Sequence, residues 1–465
     1  MPASTPLSPP PDAPHHQAPP SVGFLVLGRK RPGFDAQWGR QIEATAWQAL
    51  ASLPFRVVRA PATAVDETTL RAALDSFRTA GCATLAVLQP TMGDGSLAPT
   101  LAELWDRPVV FWSTTERQDG DCVSACTLVG THVWASYFAQ THHPFELVNA
   151  HPQDRGLPEL LGAALRRTTA ATRLAASRVG LIGAHAPGFV NLHVDPRPLQ
   201  RALGVRVRQF GLQEFYDAID AVPADQVQPQ VRAIQNMQLP TADEIPAAAL
   251  AATARYELAL RGLLELEELD ALAVRCWPEL PNIRGCWPYL ALARLGEQGC
   301  CVAMEGDLDG AVNLWLGKIL GYGVGYISDW LEHDQHHLTL WHQGEAPPQW
   351  CEPASLSLGR HFNNQKPVVL NGMLKADQPI TLTRLWHYDG RYRLMAVDGQ
   401  TARPHRRLKG TYGVAILADR DIPAWFDGLC HAGMPHHLVL FQGHHAAELK
   451  RFARLLGLSM AAQTD

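Results

Sequence analysis

The residues best spaced to do chemistry together lie between Gly299 and Pro347. An apolar run, Cys300 to Met304, predicts a short buried strand ending on Glu305, with Gly306 and Asp307 after it. Leu308, Val312, Leu316, Ile319 and Leu320 then recur at the spacing of one helix face. A second strand is predicted over Tyr322 to Ile327, ending on Ser328-Asp329-Trp330, and a third over Leu338 to Trp341, delivering His342. In a parallel sheet neighbouring strand exits converge on the side where ligands bind, so Glu305, Asp329 and His342 would meet there. Glu, Asp and His together form a hard-to-borderline donor set, suited to manganese or magnesium more than zinc. The carboxylates also have a plainer use, because Asp307 and Asp309 stand where helix caps stand. Spacing alone leaves both readings open.

The elements that must position these residues follow an alternating rhythm. Val22 to Leu27 predicts a buried strand, then a basic loop, Gly28 to Gly33, then a helix over about 35–51. Strands at 55–58, 84–89 and 108–112, with a helix at 68–79, continue a doubly wound parallel sheet. A second such unit starts with the strand Arg178 to Gly183 and runs through strands near Val205 and at Ala271 to Arg275. Between those two strands a long helix is expected over 246–268. From about Ser328 the pattern changes to short alternating runs broken by Gly, Asp or Asn, which predicts a smaller β-rich domain closed by a helix at 446–456. The expected division is a disordered tail at 1–21, α/β domains at 22–172 and 173–325, and the β-rich domain at 326–465. Glu305 falls in the second of these domains, and Asp329 and His437 in the third.

Composition excludes several classes. A chain of 465 residues with 46% hydrophobic and 18% charged residues is long and apolar enough for several globular cores. Its net charge of −5 gives no reason to expect nucleic acid or an anionic membrane as partner. No apolar run approaches a membrane span. The Pro/Ala/Ser-rich N-terminus lacks the apolar centre of a signal peptide. Nine scattered cysteines without a C-x-x-C pair suit thiols in a reducing cytoplasm. There is no G-x-G-x-x-G after a strand, no Walker loop and no G-x-S-x-G elbow, so neither a nucleotide cofactor nor a serine nucleophile is expected. Arg29-Lys30-Arg31 is a candidate contact for an oxygen-rich or anionic substrate, or else a solvated loop. Trp277, in the Pro-rich loop Cys276 to Pro281, is either a platform for a sugar's apolar face or part of the core.

The runs AMEGDLDGAV, ISDW and WHQGEAP, with GMPHHLVLFQGHH downstream, resemble the L-fucose isomerase and L-arabinose isomerase superfamily, most clearly from about Leu272 to Leu456. The resemblance implies a metal-dependent aldose–ketose isomerase working through a cis-enediol. Glu305, Asp329 and His437 would hold Mn2+ (or Mg2+ or Co2+), with Glu305 and Asp329 also the acid/base pair. His342 and His436 would complete or support the metal shell. Arg29 or Arg31, from this subunit or a neighbour, and Trp277 would bind substrate. A cytoplasmic homo-oligomer, trimer or hexamer, is the superfamily's expectation. The substrate would be a hexose or deoxyhexose, and the basic loop leaves room for an anionic sugar such as sulfoquinovose. The competing classes are a non-catalytic sugar-binding or regulatory protein on the same fold, and a metal-dependent hydrolase.

Overall fold

The structure, a computed structural model, describes residues 19–461 apart from Pro32, Ala418 and Asp419. Most of the tail expected at 1–21 therefore lies outside the described residues, and Ser21 already opens the first strand. The chain divides into two compact units, 1–173 and 174–465.

The first unit holds one parallel sheet of β1 (Ser21–Val26), β2 (Arg56–Arg59), β3 (Thr84–Leu88), β4 (Val109–Ser113) and β5 (Phe145–Asn149), ordered β2-β1-β3-β4-β5. Alternate side chains of each strand feed opposite cores. Val22, Phe24, Val110 and Trp112 pack on Ile42, Leu50 and Leu161 from the helices Ala36–Ala51 and Leu157–Ala176. Leu25, Leu85 and Phe111 pack on Leu74, Phe77, Trp134 and Phe138 from the helices Glu67–Thr79 and Thr127–Gln140. Helices on both faces make this the doubly wound arrangement that alternation predicted.

The second unit contains two sheets. β6 (Arg178–Ile182), β7 (Arg206–Phe210), β8 (Ala271–Val274) and β9 (Cys301–Ala303) form a parallel sheet ordered β7-β6-β8-β9. A mixed sheet follows, built from β10 (Tyr326–His333), β11 (His337–His342), β12 (Ser357–Arg360), β13 (Pro367–Met373), β14 (Pro379–Tyr388), β15 (Arg391–Ala402), β16 (Thr411–Ile416), β17 (His437–Gln442) and β18 (Ser459–Met460). Its order is β12-β13-β16-β11-β10-β17-β14-β15-β18. The alternating run at 413–418, which the sequence predicts as one strand of the β-rich domain, belongs to β16 as far as Ile416, and Ala418 is outside the described residues.

The helix Leu308–Leu320 links the two sheets and is buried almost all round, as a helix apolar on every side must be. On one flank Trp315 donates its indole N–H to Ser177 Oγ at 2.7 Å. On the other, a Cβ at Gly317 would sit 2.1 Å from Phe441 Cζ, so only glycine lets the helix approach β17 this closely.

Two expectations are corrected here. The strand predicted over 322–327 begins at Tyr326 and runs on to His333, because Gly321 and Gly323 take φ of +87° and +80° and hold that stretch in a turn. Asp329 therefore lies inside a strand and not at its exit. Nor are the strands carrying Glu305 and Asp329 neighbours in one parallel sheet. β9 closes the four-stranded sheet, whereas β10 pairs antiparallel with both β11 and β17. The helix between them carries the chain from one sheet to the other.

Candidate metal and sugar site

Glu305 sits in the turn between β9 and the linking helix, with left-handed backbone (φ +59°). Gly306 follows at φ +70°, and a Cβ there would lie 2.1 Å from Ala184 O. This tight turn aims a carboxylate that is 1% exposed. Trp277 donates its indole N–H to Glu305 Oε1 at 2.9 Å, which fixes the carboxylate plane and leaves Oε2 free to face the mixed sheet.

Sheet register supplies what faces it. Asp329 on β10 is the cross-strand partner of His437 on β17, and β11 on the other side of β10 ends on His342. His437 Nε2 is 3.4 Å from Glu305 Oε2 and 3.6 Å from Asp329 Oδ1. The His342 and His437 rings lie 5.6 Å apart. His436 Nε2 is 3.9 Å from Asp329 Oδ1. Two overlapping groups, Glu305–His342–His437 and Asp329–His436–His437, have donor atoms all within 4.8 Å of one another. Spacing and resemblance thus named five residues that the fold does bring together.

The donor atoms are in an unusual condition. Glu305 Oε2, Asp329 Oδ1 and His437 Nε2 are buried and make no hydrogen bond. Asp329 Oδ1, at 3.6 Å from His437 Nε2, is too far for one, and Glu305 Oε2, at 3.4 Å, makes at best a long contact. Buried polar atoms are rarely left so, and convergent ones fit a cation. Two carboxylates and imidazole form the donor chemistry of a hard-to-borderline divalent ion.

Electrostatics separates the two carboxylates. Burial works to raise Glu305, but contact with His437, the charge of His342 and the Trp277 hydrogen bond outweigh it, so its pKa falls below the ordinary value. Burial raises Asp329 and prevails over the nearby His342 and His437. His437 resists its burial through Asp307, Glu305 and Asp329 and is pushed up to about 10. His342 is raised to about 9 against its burial, first by Glu345 and then by Asp329. Burial, with His437 beside it, lowers His436 to about 3.

Comparison with known proteins fits this geometry. Residues 195–323 match the family of the L-arabinose isomerase central domain. A protein named sulfoquinovose isomerase from Priestia megaterium is 26% identical over 447 residues, covering 94% of this chain and 98% of its own. Another of that name, from Alkalicoccus urumqiensis, is 25% identical over 372 residues, covering 79% and 83%. An L-arabinose isomerase from Thermotoga neapolitana is 26% identical over 205 residues, covering 43% and 40%. Together these likenesses support an arabinose/fucose isomerase-like superfamily for the chain. Relatives so named are aldose–ketose isomerases.

Three further residues build the site. Asp307, which sequence reading took for a helix cap, does accept from Gly310 N at 2.9 Å. It also accepts from His437 Nδ1 at 2.8 Å and takes both Arg384 nitrogens, at 2.6 and 2.8 Å. Glu345 Oε1 lies 2.7 Å from His342 Nδ1. His437 thus has a carboxylate hydrogen-bonded to its Nδ1 and His342 has one at ion-pair distance, the arrangement that orients a metal-binding imidazole, whereas His436 Nδ1 lies 3.1 Å from the Asn191 side-chain amide. The signals were present in the sequence. Arg384 lies in the buried stretch of β14, and a cation there needs a buried anion. Glu345 is three residues past His342, next to Gly344, whose φ of +114° turns the chain back.

Arg29 and Arg31 belong to the first unit. The Arg29 guanidinium lies over the Phe34 ring at 4.9 Å, and Lys30 pairs with Asp66 at 2.6 Å. Glu279, beside Trp277, is engaged by Arg275. Among the described residues no helix is long and apolar enough to cross a membrane.

Proposed function

We propose that this protein is a divalent-metal-dependent aldose–ketose isomerase acting on a sulfonated hexose of the sulfoquinovose type. The observation that carries the reading is the convergence of Glu305 Oε2, Asp329 Oδ1 and His437 Nε2, buried and without hydrogen bonds. Glu305, Asp329 and His437, with His342, would hold the ion, for which Mn2+ is our first candidate. When bound, it would polarise the sugar's carbonyl and neighbouring hydroxyl and stabilise negative charge as it develops.

The chain's own groups move the protons. Glu305, held ionised and oriented by Trp277, takes the proton from C2 of the aldose. Asp329, whose Oδ1 lies 3.6 Å from His437 Nε2, returns one at C1, while the C2 hydroxyl proton passes to the C1 oxygen. Neighbouring carboxyls pushed apart in pKa are how one site supplies base and acid together. The two positions exchange these roles in the reverse direction. Trp277 and Phe189, 5.6 Å apart and nearly perpendicular, offer an aromatic wall for the sugar face. Arg29 and Arg31 remain candidates for the substrate's oxygens, and a homo-oligomer remains the expected assembly.

The test is a solvent-exchange assay. Protein stripped with chelator and reloaded with Mn2+ is incubated in deuterated water with a panel of aldoses that includes a 6-sulfonated one. The expected result is metal-dependent deuterium at C2 with the matching ketose appearing. Glu305→Gln and Asp329→Asn should each lower turnover by about 100-fold or more while remaining folded. Full activity in either variant, or no exchange with any sugar, rejects the assignment. In the latter case a binding protein on this fold becomes the better reading.

A further inference from the structure

We propose that the crevice between the ends of β6 and β8 is the subsite for the sugar's sulfonate, with His185 and His193 as its donors. This rests on the isomerase reading of the adjoining site. In the parallel sheet β7 lies to one side of β6 and β8 to the other, so the chain leaves this point in opposite directions. Open parallel sheets take ligands at the carboxyl ends of their strands at such a switch point.

Three loops meet there: 183–193 after β6, 275–281 after β8, and the Glu305 turn after β9. The first is fastened to the third. Ala186 N donates to Glu305 O at 2.8 Å, and a Cβ on Gly306 would lie 2.9 Å from His185 Cα. His185 therefore rides on the turn that aims Glu305, at the edge of the reacting centre and not within it.

These loops carry two imidazoles and a guanidinium. The His185 and His193 rings are 5.5 Å apart, edge to face. Arg275 packs against Gly183, where a Cβ would lie 3.2 Å from both its Cβ and its Cδ. Arg275 is itself held by Glu279, Nε to Oε2 at 2.9 Å, so it contributes a fixed and largely balanced charge behind the two imidazoles. Burial, His193 and Arg275, in that order, lower the pKa of His185. The same loop carries Phe189, 4.7 Å from His436, so one segment offers an apolar surface for the ring and polar donors beyond it. That division matches a hexose with its reacting end at the ion and a tetrahedral oxyanion at its far end.

The experiment compares the metal-loaded wild type with His185→Ala, His193→Ala and the double variant, on a 6-sulfonated aldohexose and its 6-hydroxyl parent. The double variant should lower the ratio of kcat/KM for sulfonated over parent sugar by about 10- to 100-fold, mainly through KM. His185→Asn, which keeps an N–H, should recover part of that loss. Equal losses on both sugars, or no loss, overturn the subsite. Calorimetric titration of the same proteins with the sulfonated sugar separates this from the isomerase reading. If the wild type binds the sugar without converting it, the isomerase reading fails, and a Kd weakened in the double variant still upholds the subsite. No binding of that sugar by the wild type overturns it.

Discussion

Asp307 holds His437 by its Nδ1 at 2.8 Å, and that single contact decides which nitrogen of the imidazole faces Glu305 and Asp329. The same carboxylate caps the linking helix and neutralises Arg384, so one side chain joins helix, sheet and site. A carboxylate behind a histidine ligand typically contributes a factor of about 10–100 in metal affinity.

Asp307→Asn should accordingly weaken Mn2+ binding by about 10- to 100-fold. It should also destabilise the fold by about 3–5 kcal/mol, because Arg384 is left buried without its anion. Calorimetric metal titration and urea unfolding on the same preparation read the two effects. Unchanged affinity in a folded variant would show that His437 is oriented by something else.

Gly306→Ala tests the turn. Its φ of +70° and the 2.1 Å approach to Ala184 O leave no place for a methyl group. The cost should be about 1–3 kcal/mol in stability, the range for a strained backbone position, with loss of metal binding as Glu305 is displaced. A variant that binds metal like the wild type would mean the turn can shift without moving the carboxylate.

A pH test is available at Asp309. Burial, with Asp307 adding to it against Arg384, raises this carboxyl from 3.8 to about 7, while the Tyr392 hydroxyl donates to its Oδ1 at 3.1 Å. Below the unfolded value both states are protonated and nothing is lost. Between the two values the folded protein keeps a proton that the unfolded chain has released, so stability falls as pH rises, and above about 7 the loss is complete. Asp309→Asn keeps the acceptor for Tyr392 and removes the titration. Its advantage in urea midpoint over wild type should therefore widen from about pH 5 to about pH 7.5. An advantage that narrows with rising pH would contradict the raised value.

Metal removal should lower thermal stability as well as activity. An ion bound by the native state alone adds about 2.7 kcal/mol at one hundred times its Kd. Chelator-treated protein should melt earlier and recover on titration with Mn2+. Glu305→Gln should show little of that recovery.

Much of this is legible in the sequence. Glu305, Asp329 and His342 stood out by residue type and strand-like context, and the strand and helix alternation of the first unit needed only periodicity. Asp329 was placed at a strand end because Tyr322 to Ile327 is apolar enough to be a strand, and left-handed glycines are not visible as such in a sequence. The register that sets Asp329 opposite His437 was out of reach for a different reason. It pairs residues more than a hundred positions apart, and no local pattern encodes that. Asp307 was half read, since a cap and an ion partner look alike until Arg384 arrives from a distant strand.

The position of β17 has a consequence for how the molecule is made. It follows β10 by more than a hundred residues in the chain, yet it is an interior strand, lying between β10 and β14. Until it inserts, β10 and β14 each present an open edge, and Asp307 and Arg384 have no imidazole beside them. Sheet closure and delivery of His437 are therefore one long-range event. A nascent chain halted before His437 lacks the site altogether and exposes two strands ready to pair with a stranger.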